Sequence, residues 1–303
     1  MLIVGVAAAA TLLLLRISIS MSIENVSDTA RWVAMYRAME SERPDAHFRD
    51  PYARRLAGER GDAIVDAMPA GRKMAWPMVV RTVVFDRIVT EAVRERGADM
   101  VVNLAAGLDA RPWRMELPPA LRWVDVDLPG ILGHKTELMQ GETPRCHYEA
   151  VAADLTDAAA RDAVFARLGA QAERVLVLSE GLLVYLTAQE VAELARALHT
   201  QPSFRWWAAD LASPKLMTWM QKRWGKQVGA GNAPFRFAPE EGAGFFRPLG
   251  WREAAWFGTV PEARRLKRGR GTLWFAHLMA LIGTARMKEE IRRFSGYMLL
   301  ERA

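Results

Sequence analysis

Asp99-Met-Val-Val-Asn-Leu-Ala-Ala-Gly-Leu-Asp-Ala-Arg111 is the stretch whose reading decides the fold. An apolar run of strand character, Val101 to Leu104, breaks into small residues and a single glycine, Gly107, where a helix can begin. Shortly after it, Trp123-Val-Asp-Val-Asp-Leu-Pro129 gives a second apolar run that ends in acids. Strand, small-residue turn, helix and acid-tipped strand is the arrangement by which α/β proteins hold an adenosine-bearing ligand.

Working outward, the pattern repeats. Cys146 to Ala152 reads as a third strand ending in Ala153-Asp154-Leu155, and Arg174 to Ser179 as a buried fourth strand closed by Glu180-Gly181. Phe204 to Asp210 gives a fifth strand, with Trp251–Phe257 and Tyr297–Glu301 as later ones. Helical stretches separate the first four: Pro129–Gln140, Asp157–Leu168 and, past the fourth, a helix capped by Thr187 with Glu190 completing a capping box. Alternation of this kind predicts parallel βαβ units, with a ligand at the strands' carboxyl ends. Asp127, Asp154 and Glu180 all fall at such ends, where a hydrophobic core gains nothing from a carboxylate.

The amino-terminal part reads as helical. Ser27-Asp28-Thr29 is expected to cap a helix over 30–39, Asp50-Pro51 to open a second, and Met78–Arg94 to form a third that carries Arg81. Residues 211–237 are rich in Trp, Met and Gly and read as a lid or insertion over a pocket, with core packing of the tryptophans as the plainer alternative; Pro239–Phe246 is expected to be helical, and Trp274–Ile282 a short apolar helix.

Composition narrows the class. At 303 residues, 51% hydrophobic and 25% charged, the chain suits one large α/β domain with additions, or two small domains. A single cysteine, Cys146, excludes an intrachain disulfide and any multi-cysteine metal site, so no metal is expected. The net charge of +6 is concentrated partly in Arg264-Arg-Leu-Lys-Arg-Gly-Arg270. Without interleaved aromatic residues this cluster reads as a solvated helix end, and no nucleic-acid partner is expected. Met1 to Leu15 is apolar but short for a membrane span, which needs roughly twenty residues. Residues 1–21 are therefore set apart as an apolar extension, membrane contact is expected only if they belong to the mature protein, and the expected location is cytoplasmic.

The turn itself discriminates between ligands. A dinucleotide fold uses G-x-G-x-x-G to let the backbone approach a pyrophosphate; Leu104-Ala-Ala-Gly-Leu-Asp109 has one glycine. S-adenosylmethionine has no phosphate and asks less of such a turn. Asp127 is placed to accept from both ribose hydroxyls, Asp154 to accept from the adenine amine, and Leu155 to lie on the ring.

These pieces resemble a class I S-adenosylmethionine-dependent methyltransferase of the leucine carboxyl methyltransferase-like family, in its bacterial O-methyltransferase branch. The matching segments are Thr29–Ala34, Arg37–Glu40, Asp50–Ala53, Ala106–Arg111, Asp125–Pro129, Ala153–Leu155 and Ser179–Thr187. The resemblance implies a Rossmann-like, doubly wound, mostly parallel seven-stranded sheet. It also implies one methyltransferase domain over 22–303, with a helical cap over 22–97 and an inserted lid over 211–247. By position it implies that Arg81 binds the methionyl carboxylate, Gly107 lies against the methionyl chain, Asp127 holds ribose, Asp154 and Leu155 hold adenine, and Glu180 sits near the amino end. Tyr185 would face the acceptor. Ala105 stands where the family often has glycine, which is tolerable if its φ is negative; Ala110 stands where threonine is common.

The function expected is methyl transfer from S-adenosyl-L-methionine to a carboxylate or hydroxyl of a small molecule. A catalytically silent S-adenosylmethionine-binding or scaffold protein and, less favoured, a nicotinamide-dependent oxidoreductase are the alternatives. No catalytic base is assigned: His134, His199 and His277 read as structural or surface residues.

Overall fold

The computed structural model describes residues 26–68, 70–230, 234–271, 273–274, 278–279 and 282–303. The apolar extension 1–21 and most of the expected 274–282 helix lie outside them. Helices α1 (Val26–Ser41), α2 (Ala53–Ala67) and α3 (Trp76–Arg94) precede strand β1 (Met100–Leu104). Then follow α4 (Arg111–Arg114), β2 (Arg122–Asp127), α5 (Pro129–Leu138), β3 (His147–Ala152), α6 (Ala158–Gly169) and β4 (Val175–Ser179). The chain continues through α7 (Ala188–His199), β5 (Phe204–Ala212), α8 (Pro214–Ala230), β6 (Trp251–Gly258), α9 (Thr259–Arg265), α10 (Ala285–Arg293) and β7 (Ser295–Arg302).

The strands form one seven-stranded sheet in the order β3-β2-β1-β4-β5-β7-β6. The first five run parallel, and β7 enters antiparallel between β5 and β6. Strands β1 and β4 are buried along their whole length, as near-continuous apolar runs in parallel sheets must be. Successive residues serve opposite faces. Val102, Leu104, Val175 and Val177 join one apolar layer with Phe165, Val191 and Leu198 from α6 and α7. Val101, Leu176 and Leu178 join the other with Val84, Phe85 and Ile88 from α3. Chain order reverses between β1 and β4, so the sheet has its switch point where Gly107 and Glu180 emerge.

The capping box at Thr187–Glu190 is present with both bonds formed, and Asp157 caps α6 by accepting from Ala159 and Ala160. Helices α1 and α2 pack on each other and on the turn after β1, through Met35, Tyr36, Leu56, Leu108 and Trp113. Among the described residues no helix is long and apolar enough to cross a membrane.

Several local expectations are corrected. Asp28 lies inside α1, not at its cap; its buried carboxylate takes two bonds from Arg60, at 2.7 and 2.6 Å. The second helix starts at Ala53, just past Pro51, with the Asp50 carboxylate accepting from Arg37 and from the Tyr52 N–H at its entry, and it kinks at Gly58 (φ 60°). Gly242–Leu249, with glycines and Pro248, forms a 3₁₀ segment in place of an α-helix over 239–246. Arg268 is no solvated residue: it is buried, pairs with Glu40 at 2.7 Å and bonds the Asp45 carbonyl.

Candidate functional site

The turn after β1 is built tightly against β2. Ala105 has φ 52°, and its N–H donates to the Val126 carbonyl at 2.8 Å. The condition for a harmless alanine is thus not met: its side chain sits in the left-handed region, which costs an L-residue about 1–2 kcal/mol. Gly107 (φ 50°) follows, and its N–H donates to Asp127 Oδ2 at 2.7 Å, while the Leu128 N–H donates to Oδ1 at 2.7 Å. Burial raises the Asp127 carboxyl above its ordinary range, and these two amide bonds work against that rise. Each oxygen keeps lone pairs beyond the amide bond, so the carboxylate can still accept from hydroxyls.

Asp154, past the tip of β3, accepts from the Thr156 hydroxyl and N–H, both through Oδ1, and these bonds lower its carboxyl. Leu155 packs against the apolar layer behind it. At the tip of β4, Glu180 lies between two guanidinium groups, with Arg81 Nε at 2.9 Å from Oε1 and Arg111 Nη2 at 2.9 Å from Oε2. The contacts are ionic and poorly aligned, for Arg81 Nε and Glu180 Oε2 are buried without a well-directed hydrogen bond.

A charged network surrounds this pair. Arg111, 3% exposed, also bonds Asp86 at 2.7 Å and Asp109 at 2.6 Å, and Arg114 grips Asp86 at 2.6 and 2.8 Å. Burial alone would raise the Asp86 carboxyl, but Arg114 and Arg111 hold it below the usual value. Asp210, in β5, takes the Gly181 N–H at 2.6 Å and lies 3.5 Å from Arg81 Nη1; burial raises its carboxyl. Tyr185 ends a 3₁₀ turn, Leu183–Tyr185, and stacks on Phe235 with ring centroids 5.7 Å apart. Burial pushes its phenol up to about 12, so it stays protonated near neutrality.

Arg81, Gly107, Asp127, Asp154, Leu155, Glu180 and Tyr185 all line one cavity of about 1180 Å³. The structure adds Asn103, Asp109, Arg111 and Asp210 to its wall. Asp210 was hidden by its place within an apolar strand. Arg111 and Asp109 were signalled by their closeness to the glycine turn and by their place in the matching segment Ala106–Arg111. Neither His134 nor His199 lines the cavity, and burial lowers the pKa of both; His277 lies outside the described residues.

Comparison with known proteins follows the same geometry. The family model for leucine carboxyl methyltransferase matches residues 30–199. A Parafrankia protein named as a candidate S-adenosyl-L-methionine-dependent methyltransferase is 41% identical over 179 residues, or 56% of this chain. The match spans only 57% of that relative's own length. A Frankia alni protein of the same description is 32% identical over 246 residues, covering 74% of this chain and 82% of its own. A crystal structure of a candidate methyltransferase from Thermobifida fusca shares the fold at a TM-score of 0.57 and 14% identity, over 92% of this chain and 95% of that one. The chain belongs to the leucine carboxyl methyltransferase family.

Proposed function

We propose that the protein transfers a methyl group from S-adenosyl-L-methionine to an oxygen atom, carboxylate or hydroxyl, of a small molecule. The observation that carries this reading is the set of acids at successive strand tips, Asp127, Asp154 and Glu180, around one cavity whose turn holds a single glycine in its left-handed part. Such a lining fits a ligand with ribose hydroxyls, an amine and a positive charge. A pyrophosphate would meet carboxylates there without the glycine-rich backbone that usually receives it. The names of the relatives support the same donor.

On this reading Asp127 accepts from the ribose hydroxyls, Asp154 from the adenine amine, and Leu155 lies against the purine. Arg81 would receive the methionyl carboxylate and Glu180 the amino group, with Gly107 leaving room for the chain between them. When bound, the donor supplies an electrophilic methyl group on a sulfonium. The protein's part is then chiefly to hold an acceptor oxygen in line with it and to exclude water. Tyr185 and the face of α8 would bound that acceptor chamber, with residues 211–247 acting as its lid.

Titration calorimetry with S-adenosyl-L-methionine tests the donor, and transfer of a labelled methyl group onto a panel of small carboxylic acids and phenols tests the reaction. Binding without transfer to any acceptor would favour the silent alternative.

A further inference from the structure

The carboxylates and the exposed cations on the cavity wall come from different segments of the chain. Every carboxylate on its wall comes from the strand tips, the loops after them or the start of α7: Asp109, Asp127, Asp154, Glu180, Glu190 and Asp210. Among the other lining segments, α1, residues 70–78, α8 and residues 234–237 place no carboxylate there. Besides Arg37, which pairs with Asp50, they contribute Lys73, Lys215, Arg223 and Arg236, set among Trp32, Tyr36, Trp76, Trp219, Met220 and Phe235.

Helix α8 shows how the sequence makes such a surface. Lys215, Trp219 and Arg223 recur every fourth residue and share one stripe of the helix, with Leu216 and Met220 beside it. Met217, on another side, packs with Ile64, Met68 and Phe235. The Arg223 guanidinium lies 5.6 Å from the Trp219 ring centroid, and Trp219 is 41% exposed. Lys215 has Glu290 at 3.5 Å. Lys73, Arg223 and Arg236 have no carboxylate within 4.0 Å among the described residues, though Arg236 is near enough to Glu190 to help lower its carboxyl, whereas the cavity's buried arginines 37, 81 and 111 are each in direct contact with acids. Unpaired cations beside aromatic and thioether side chains suit a ligand that is apolar in body and anionic at one end.

We propose that the acceptor is an amphipathic anion: an aromatic or acyl body held by Trp32, Trp76, Trp219 and Phe235, with an anionic group, separate from the oxygen methylated, held by Lys73, Arg223 and Arg236. This rests on reading the part of the cavity that these residues line as the acceptor chamber. It adds the acceptor's charge and shape, which set specificity: a neutral analogue of the same body loses the ionic contacts and a cationic one is repelled.

The test uses two dyes with the same aromatic body, the anion 8-anilinonaphthalene-1-sulfonate and neutral N-phenyl-1-naphthylamine, titrated by fluorescence against the full chain. The anion is expected to bind at least about tenfold tighter, a difference of about 1.4 kcal/mol. The triple variant Lys73→Gln, Arg223→Gln, Arg236→Gln is expected to lose that advantage and to keep its affinity for the neutral dye, while Trp219→Ala weakens both. Equal affinity for the two dyes in the unaltered protein, an anion affinity unchanged by the triple variant, or parallel loss of both dyes in it would each overturn the proposal. Donor binding, measured separately on the same variants, involves none of these residues, so failure of the dye test leaves the donor reading standing and failure of donor binding does not affect the dye result.

Discussion

The N–H of Gly107 donates to Asp127 Oδ2 at 2.7 Å, which joins the turn after β1 to the tip of β2 as one unit. A Cβ at Gly107 would sit 3.1 Å from Ala30 Cβ, on a backbone at φ 50°. Gly107→Ala is therefore expected to cost about 1–2 kcal/mol of stability in urea unfolding. It should also weaken S-adenosylmethionine binding, because relieving the strain moves the amide that orients Asp127. An unchanged unfolding midpoint would show that the turn adapts without cost.

Ala105 is the converse case. Its φ of 52° penalises any side chain at this position. Glycine removes that strain but gains freedom in the unfolded chain, which offsets about 0.4–1 kcal/mol. Ala105→Gly should thus stabilise by about 0.5–1 kcal/mol net, read as a higher urea midpoint with an unchanged slope. A lower midpoint would mean the methyl group packs usefully.

Beneath the site, Asp125 is fully buried and accepts from Lys135 at 2.6 Å, Tyr148 at 2.9 Å, Trp123 at 2.9 Å and Asn103 at 3.1 Å. Lys135→Met leaves a buried carboxylate without its cation, a loss of about 3–5 kcal/mol. The double variant Lys135→Met, Asp125→Asn should recover part of this in the same unfolding assay; no recovery would place the loss in packing and not in charge.

Donor affinity should depend on pH through Asp127. Burial raises its carboxyl above the ordinary 3.8, so it takes up a proton at a higher pH than an exposed aspartate does. Calorimetry at falling pH should show affinity dropping as the carboxylate is lost, at a higher pH than an exposed aspartate would impose, and Asp127→Asn should flatten that dependence. The linkage to folding has the opposite sign. A raised folded-state value means that Asp127 opposes stability at neutral pH, and the penalty is relieved as pH falls through that value. A pH dependence identical in Asp127→Asn would assign it to another group.

Much of this was legible from the chain. Continuous apolar runs such as Val175–Ser179 announce buried parallel strands, and acids at their ends stand out because the core has no use for them. Asp127, Asp154, Leu155 and Glu180 came from strand tips and Gly107 from the glycine turn, whereas Arg81 and Tyr185 came from the family resemblance; all seven line one cavity. What stayed hidden was pairing at long range. Nothing local tells that Arg268 reaches Glu40, that Asp28 receives Arg60, or that Arg111 joins Asp86 and Asp109 to Glu180. The position of β7 between β5 and β6 is likewise set by tertiary packing. The sign of φ at Ala105 was undetermined because alanine rarely adopts the left-handed conformation that this turn imposes.

The central claim is that Asp127, held by Gly107, anchors S-adenosyl-L-methionine at the tip of β2. Titration calorimetry of the unaltered chain and of Asp127→Ala tests it most directly. The account predicts micromolar binding in the first, on the order of −8 kcal/mol, and its loss in the second while the fold is retained by circular dichroism. Absence of binding in the unaltered chain, or equal binding in both, would contradict it.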